Sequence, residues 1–228
     1  MAQLNAAVAL VPAAGRGERL GFGIPKALVP VRGAPLLLHA VRGLLSAGRV
    51  RHVVVAAPAE ALEQVSSLLS GLPVDVVAGG SDRTESVGLA LRHALAVVPG
   101  ARIALVHDAA RAFTPPEVVA RVVDAVAAGA RAVVPVLPMA DTVKLVDADG
   151  VVLGTPDRAA LRVVQTPQGF DVETLVTAHR SGLSATDDAG LVEALGVPVN
   201  TVDGHPNAMK VTTPHDLAVA EKVLVEGL

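Results

Sequence analysis

The chain has 228 residues, 51% of them hydrophobic, which is enough for one well-buried α/β domain but little for two. No uncharged apolar run reaches the roughly 18 to 20 residues that cross a bilayer, and no Lys or Arg precedes the first apolar run as in a signal peptide. We therefore expect a cytoplasmic protein without a membrane partner. Cysteine is absent, which excludes disulfides, thiolate nucleophiles and zinc-finger patterns.

The charge is close to neutral overall but unevenly distributed. With a net charge of −3, three Phe, no Trp and no Tyr, the chain lacks the basic balance and the stacking aromatics of a nucleic-acid binder. Residues 1–59 nevertheless carry seven Lys and Arg against one acid, Glu18, which gives +6 there and leaves −9 for the remainder. This N-terminal part could hold a small polyanion.

Short apolar runs alternate with amphipathic stretches along most of the chain. Strands that are apolar on both faces belong to parallel sheets covered by helices, so the pattern predicts an α/β fold with a mainly parallel sheet. The predicted strands are 7–11, 53–57, 74–77, 103–106 and 132–136.

The predicted helices lie between these strands and at the end of the chain. Apolar residues at helical spacing predict helices at 36–47, 60–69 and 87–95. A further helix is expected to begin with Thr114 as the N-cap and Glu117 at its third position, and the last helix to begin in the same way at Thr213.

Residues 138–165 interrupt this alternation. The segments 142–146 and 151–153 flank the turn sequence Asp-Ala-Asp-Gly at 147–150, which predicts a β-hairpin. We expect one domain, 1–228, from which 138–165 projects as an interaction arm. A hairpin that only covers the edge of the sheet is the alternative.

The first predicted strand runs into a segment of small residues, 12–26, that carries Arg16, Arg19 and Lys26. Glycine and alanine at the carboxyl end of a strand allow phosphate groups to approach backbone N–H groups. The segment therefore predicts a phosphate-binding loop. A glycine-rich connection with incidental surface cations is the alternative.

Two common phosphate-binding loops do not fit this segment. A dinucleotide fingerprint requires Gly where the chain has Leu20, and it requires a later acid, whereas no Asp or Glu occurs between positions 18 and 60. A Walker A loop requires Gly before the lysine and Ser or Thr after it, but Lys26 is flanked by Pro25 and Ala27.

Polar residues also follow the later strands. Asp108 comes at the carboxyl end of the strand 103–106, where it could hold Mg²⁺ together with substrate phosphates or could only cap a turn. His107 is interpreted as a packed histidine at the strand end rather than as a base. The segment 79–86 leads into a helix and is equally consistent with capping and with ligand binding.

Several of these segments form an ordered series. They are Pro12-Ala13-Ala14-Gly15 with Arg19 and Pro25-Lys26, Gly79-Gly80 with Arg83 and Ser86-Val87, Val106-His107-Asp108-Ala109-Ala110-Arg111, Asp141-Thr142-Val143-Lys144, Thr166-Pro167-Gln168, Thr186-Asp187, and Lys210-Val211-Thr212. In this order they resemble the 2-C-methyl-D-erythritol 4-phosphate cytidylyltransferase family over nearly the whole chain. The first block alone would indicate only a relative of the sugar-nucleotide pyrophosphorylases.

The resemblance implies a Rossmann-like, three-layer αβα nucleotidyltransferase fold, a homodimer joined through the β-hairpin arm, and dependence on Mg²⁺. It implies transfer of CMP from CTP to 2-C-methyl-D-erythritol 4-phosphate, a small polyol phosphate, in the non-mevalonate isoprenoid pathway. The reaction would release pyrophosphate.

The resemblance also implies roles for individual residues. The implied catalytic residues are Arg19 and Lys26, which would stabilise the transition state, and Arg158 and Lys210, which would position the acceptor. The residues implied to bind CTP are Ala13, Ala14, Gly15, Gly80, Asp82 and Ser86. The residues implied around the acceptor are Arg111, Thr142, Thr166 and Thr186, and Asp108 is the implied metal ligand. Whether Arg111 and Thr142 act in their own subunit's site or in the partner's is left open.

The chain departs from the family pattern at two positions. Ala112 follows Arg111 where the family usually has proline, and Ser81 stands where an acid is frequent. Neither change removes a reacting group. A cytidylyltransferase for ribitol 5-phosphate or another polyol phosphate remains the nearest alternative, followed by a nucleotide-binding regulatory protein without catalysis. An NAD-dependent oxidoreductase is disfavoured by Leu20 and the missing acid.

Overall fold

The computed structural model describes residues 7–15 and 23–226. Its strands are β1 (Ala7–Pro12), β2 (Pro30–Val31), β3 (Ala34–Pro35), β4 (Val50–Ala57), β5 (Val74–Ala78), β6 (Ile103–Val106), β7 (Ala132–Pro138), β8 (Leu145–Val146), β9 (Val152–Gly154), β10 (Arg162–Val164), β11 (Gln168–Asp171) and β12 (Asn200–Asp203). Its helices are α1 (Leu36–Ser46), α2 (Leu62–Leu68), α3 (Arg83–Val97), α4 (Pro116–Ala127), α5 (Val172–Arg180), α6 (Asp188–Ala194) and α7 (Pro214–Glu226). Short 3-10 helices lie at Lys26–Leu28, Ala59–Ala61, Arg158–Ala160 and Pro206–Ala208.

Within the described residues, a mixed, mostly parallel sheet of eight strands forms the centre of the molecule. Its strands follow the order β5-β4-β1-β6-β11-β7, with β10 and β12 also paired to β7. The pairs among β1, β4, β5 and β6 are parallel, as is β12 with β7, whereas β10 and β11 run antiparallel to their neighbours. The chain leaves β1 toward β4 on one side and returns to β6 on the other. The strand order therefore reverses beside β1, where open α/β sheets bind ligands.

Strand β1 shows why the predicted strands read as continuous apolar runs. Ala7, Ala9 and Val11 point into one core layer, which α1, α2 and α4 cover, while Val8 and Leu10 point into a second layer covered by α3, α5 and α6. All five residues are fully buried. Full burial of a Val or Leu side chain stabilises the fold by about 1.5–3 kcal/mol, so both faces of the sheet contribute to stability.

The five strands predicted from apolar runs are confirmed as β1 and β4 to β7, and the predicted helices as α1 to α4 and α7. The predicted cap of α4 is wrong. Pro115 is its N-cap and Pro116 its first residue, while the buried Thr114 hydroxyl donates instead to the carbonyl of Arg111 at 3.0 Å. At α7 the prediction is confirmed, because Thr213 and Asp216 exchange hydrogen bonds at 2.8 and 3.2 Å.

The predicted β-hairpin is present as the antiparallel pair β8 and β9. Its first strand is shorter than predicted, and its second strand has the predicted length but begins one residue later. Asp147 holds the turn, because its Oδ1 accepts from the N–H groups of Asp149 and Val151 at 3.0 and 2.8 Å. The large apolar side chains between positions 145 and 153 are 54–68% exposed; they are Leu145, Val146, Val151, Val152 and Leu153.

None of the helices in the described part of the chain combines the length and the apolar character that crossing a membrane requires.

Candidate active site

A crevice of about 660 Å³ lies at the carboxyl ends of β1 and β6. Its walls come from the segments that follow β1, β5 and β6, from the 3-10 helix at Lys26 and from the chain just before α7. The lining residues are Pro12, Ala13, Ala14, Gly15, Lys26, Ala27, Gly80, Ser81, Asp82, Arg83, Ser86, Asp108, Ala109, Ala110, Lys210 and Thr212. The reversal of strand order therefore places a cavity where the sequence predicted phosphate binding.

Backbone contacts bring the loops after β1 and β5 together in this crevice. The N–H groups of Ala13 and Gly79 donate to the carbonyls of Ala56 and Ala57, in each case at 2.8 Å. A Cβ atom on Gly79 would lie 2.7 Å from the Cβ of Ala14, closer than real Cβ atoms approach. Glycine at position 79 thus allows the two loops to form one wall.

Lys26 lies where the chain returns from the first loop. Its backbone N–H donates to the carbonyl of Gly15 at 3.4 Å, so positions 15 and 26 lie next to each other. Lys26 also lines the crevice. Arg19, which was predicted to act with it, lies outside the described residues.

Side chains at the start of α3 hold the next wall in shape. Asp82 is the N-cap and accepts from the N–H of Glu85 at 2.8 Å, while Glu85 accepts from the N–H and hydroxyl of Ser81 at 2.7 and 2.8 Å. The N–H of Gly80 donates to Ser86 Oγ at 3.0 Å, and that hydroxyl donates to the carbonyl of Asp82 at 2.7 Å. The segment caps the helix, which confirms one of its two interpretations from sequence. It also lines the crevice, and ligand binding stays a prediction. The positive end of the helix dipole faces a site suited to an anion.

Asp108 lies between two cations at the end of β6. Its Oδ2 is 2.7 Å from Lys210 Nζ and its Oδ1 is 3.5 Å from Arg83 Nε, and its side chain is 13% exposed. Burial acts to raise the pKa of this carboxyl, but Lys210 and Arg83 outweigh burial and lower the pKa to about 2. Asp108 is therefore a carboxylate at neutral pH.

Two buried residues support Asp108 from behind. The N–H of Asp108 donates to Thr166 Oγ1 at 3.0 Å, and Nδ1 of His107 lies 3.0 Å from the same oxygen. Burial is the main cause that lowers the pKa of His107 to about 4, against the opposing effect of Asp108, so the imidazole is neutral at pH 7. His107 is 1% exposed, which agrees with its interpretation as a packed histidine.

Arg111 fixes the segment that carries Lys210. Its Nη1 donates to the carbonyl of Ala208 at 2.7 Å and its Nη2 to the carbonyl of Val164 at 3.1 Å. The guanidinium thereby joins the loop after β6 to the end of β10 and to the 3-10 helix at Pro206–Ala208. Through this contact Arg111 helps to set the position of Lys210.

Of the residues predicted to position or surround the acceptor, Lys210 lines the crevice. Arg111 and Thr166 lie outside the lining but contact residues beside it, whereas three others lie away from it. Arg158 begins a 3-10 helix and donates to the carbonyl of Ala140 at 2.9 Å, and Thr142 is exposed just before β8. Both belong to the arm. Thr186 is exposed, two residues before α6 begins.

Sequence reasoning gave no role to Arg83 or Asp188, although both contribute to the site. Arg83 belongs to a matching block and lines the crevice, and its Nη1 lies 2.6 Å from Asp188 Oδ2. Asp188 directly follows Thr186-Asp187, but its burial cannot be recognised in a short polar segment. The signal that could have identified Arg83 was its position near the start of a predicted helix, directly after a glycine-rich segment.

The residues present fit a magnesium ion that is held largely by substrate. Among the described residues no group of three or more His, Cys, Asp or Glu side chains could hold a metal ion by itself. Mg²⁺ usually takes one or two carboxylates and completes its coordination with phosphates and water. The ionised Asp108, which faces the crevice, can supply such a carboxylate.

Comparison with known proteins agrees with this geometry. The family model IspD, 2-C-methyl-D-erythritol 4-phosphate cytidylyltransferase, matches residues 7–226. The chain belongs to this family.

Individual relatives cover almost the whole chain. The 2-C-methyl-D-erythritol 4-phosphate cytidylyltransferase of Saccharopolyspora erythraea is 63% identical over 220 residues, which are 95% of this chain and 98% of that protein. The enzyme of the same name from Nocardia farcinica is 58% identical over 218 residues, or 95% of this chain and 93% of that protein. The crystal structure of the Thermus thermophilus enzyme of this name superposes with a TM-score of 0.79 at 39% identity, covering 96% of this chain and 98% of that one. The predicted Rossmann-like αβα fold is thus confirmed.

The low pKa of Asp108 leads to a first prediction. In Lys210→Met the loss of the ammonium group should raise the pKa of Asp108 from about 2 toward its ordinary value of 3.8, as measured by NMR titration of the side-chain carboxyl. Lys222→Met, on the exposed surface of α7, serves as the control and should leave it unchanged.

The same shift fixes how stability depends on pH. Because the pKa is lower in the folded state, ionised Asp108 stabilises the fold above about pH 4, on the order of 2 kcal/mol, and this contribution disappears as the pH falls through about 2. The free energies of unfolding of the wild type and Lys210→Met, measured with urea, should therefore differ less at pH 2 than at pH 7. An unchanged Asp108 pKa in Lys210→Met would contradict the assignment.

Proposed function

We propose that the chain transfers CMP from CTP to 2-C-methyl-D-erythritol 4-phosphate and releases pyrophosphate. The observation that carries the proposal is the convergence of Lys26, Asp108 and Lys210 in one crevice beside the loops 13–15 and 80–86. Membership of the family supports the reaction type. The choice of acceptor is supported by the names of the Saccharopolyspora and Nocardia relatives.

The reaction we propose is a direct displacement. A phosphate oxygen of the acceptor forms a bond to the α-phosphorus of CTP, and the bond from that phosphorus to the β-phosphate oxygen breaks. The electron pair of the broken bond leaves with pyrophosphate, and the product is 4-diphosphocytidyl-2-C-methyl-D-erythritol. No protein nucleophile is needed, and the neutral, buried His107 is not required as a base. The chain therefore contributes positioning and charge.

In this proposal the loops beside β1 and α3 bind CTP. The residues that hold it are Ala13, Ala14, Gly15, Gly80, Asp82 and Ser86. With no Trp or Tyr in the chain, backbone groups around Ala13, Ala14 and Gly80 recognise cytosine. Asp82 and Ser86 act by keeping the loop in shape through their hydrogen bonds.

The cations act on the reacting phosphates. Lys26 and Arg19 neutralise charge that develops on the pentacoordinate phosphorus and on pyrophosphate. Lys210 and Arg158 position the acceptor's phosphate, with Thr166 and Thr186 near the acceptor. Asp108 would hold Mg²⁺, which when bound withdraws charge from the phosphate oxygens.

We further propose a homodimer of single-domain subunits, 1–228, that is joined through the arm 138–165. The exposed apolar side chains of β8 and β9 support this, because such a patch is typical of an interaction surface. Arg158 and Thr142 then complete the partner's crevice, and Arg111 serves its own. Sedimentation as a monomer at assay concentration would exclude this arrangement. The cytoplasmic location stays a prediction.

The experiment that tests the proposed function is a pyrophosphate-release assay. The chain is supplied with CTP, Mg²⁺ and, in separate reactions, 2-C-methyl-D-erythritol 4-phosphate, ribitol 5-phosphate and other polyol phosphates. We expect turnover with methylerythritol phosphate and CTP, and much slower turnover when UTP or ATP replaces CTP.

The outcomes separate the candidate functions. Turnover with ribitol 5-phosphate alone would favour the other cytidylyltransferase, and no turnover with any acceptor would refute transfer chemistry. Equal rates with CTP and UTP would contradict the proposed recognition of cytosine.

The role of Lys26 predicts a specific loss of catalysis. Because the ammonium group acts mainly in the transition state, Lys26→Ala should lower kcat about 10²- to 10³-fold while the melting temperature changes little. Lys222→Ala is the matched control at an exposed position of α7 and should keep normal kcat. A near-normal kcat in Lys26→Ala would remove this residue from the catalytic group.

A further inference from the structure

A buried carboxylate lies one residue layer behind the crevice. Asp188, the first residue of α6, is 1% exposed. Its Oδ2 lies 2.6 Å from Arg83 Nη1, and its Oδ1 lies 2.9 Å from Nε2 of His179 on α5. Both oxygens of the carboxylate are thus engaged, so its orientation is fixed.

Arg83 connects this buried carboxylate to the crevice. While Nη1 faces Asp188, Nε of the same guanidinium lies 3.5 Å from Asp108 Oδ1. The guanidinium is planar and rigid, so a fixed Nη1 also fixes the direction of Nε. A contiguous chain of contacts therefore runs from His179 through Asp188 and Arg83 to Asp108.

The two sides of Asp108 are held differently. Lys210 Nζ contacts Oδ2 at 2.7 Å from a side chain that is 44% exposed, whereas Arg83 approaches Oδ1 from a side chain anchored on a buried partner. Lysine is a flexible point charge that can follow a substrate phosphate. When it does so, Arg83 remains to hold the Asp108 carboxylate in place.

We propose that Asp188 is a positioning residue for the transfer reaction: it orients Arg83, and Arg83 orients the Asp108 carboxylate toward the bound substrates. His179 steadies Asp188 from the opposite side. This role rests on the proposed function. It also gives a reason for the buried ion pair between Asp188 and Arg83, because stability alone does not require such a pair: hydrophobic replacements of buried ion pairs are often as stable.

A double-mutant cycle in the same pyrophosphate-release assay tests this role. The variants are Arg83→Gln, Asp188→Asn and the double variant, measured well below their melting temperatures so that kcat refers to folded protein. Asp188→Asn should lower kcat about 10- to 100-fold, as expected for a misplaced catalytic group, with the KM for CTP within about twofold. Because Asp188 acts only through Arg83, the double variant should be no slower than Arg83→Gln.

Two further variants sharpen the comparison. Arg83→Lys keeps the charge but cannot reach both carboxylates, so it should not restore wild-type kcat. Asp124→Asn is the matched control, because Asp124 also pairs with an arginine, Arg49 at 2.9 Å, at the amino end of β4 away from the crevice. It should leave kcat unchanged.

The outcomes are decisive for the positioning role. Normal kcat in Asp188→Asn, or a double variant whose loss is the product of the two single losses, would overturn it. If Asp188→Asn does not fold, Asp188→Glu takes its place, because it keeps the negative charge but displaces the carboxylate; it should lower kcat in the same way, and normal kcat would overturn the role. An inactive wild type would overturn the proposed function instead, whereas an active wild type with unaffected variants overturns only this inference.

Discussion

The Asp108 carboxylate, paired with Lys210 at 2.7 Å and faced by Arg83 at 3.5 Å, is the interaction on which the site depends. It joins the end of β6 to the start of α3 and to the segment before α7, which are far apart in the sequence. Burial works against the charge, and the two cations compensate for it. The result is a carboxylate that stays ionised and directed into the crevice.

The sheet makes this meeting possible. The strands β1, β4, β5 and β6 are parallel and adjacent, so the loops that follow β1, β5 and β6 begin at the same edge of the sheet. This edge lies beside the point where the strand order reverses. Helices on both faces bury the strands, so the loops project from a rigid base. Close contact between Gly79 and Ala14 brings the loops after β1 and β5 together as one wall of the crevice. Phosphate binding and charge compensation follow from this shared edge.

The sequence predicts the parts of the fold that a local pattern determines. Runs such as β1 and β6 are apolar on both faces, so their strands were found, whereas β12, Asn200–Asp203, is mostly exposed and its residues give no such signal. Thr114 stands three residues before Glu117, as an N-cap does, but its buried hydroxyl donates to the carbonyl of Arg111 instead of capping α4. The pair Arg83 and Asp188 is separated by 105 positions, so only the folded chain brings it together. Arg158 and Thr142 lie on the arm, outside the crevice lining of their own chain, so the structure of one chain does not test their predicted roles.

The central claim is that the crevice beside β1 and β6 binds the reacting phosphates. A crystal structure of the chain with CTP and Mg²⁺ tests it most directly. The account predicts that the triphosphate lies between Lys26 and Asp108, with cytosine against the loops 13–15 and 79–80. A nucleotide bound elsewhere, for example in the cavity formed by residues 125–131 and 198–202, would contradict it.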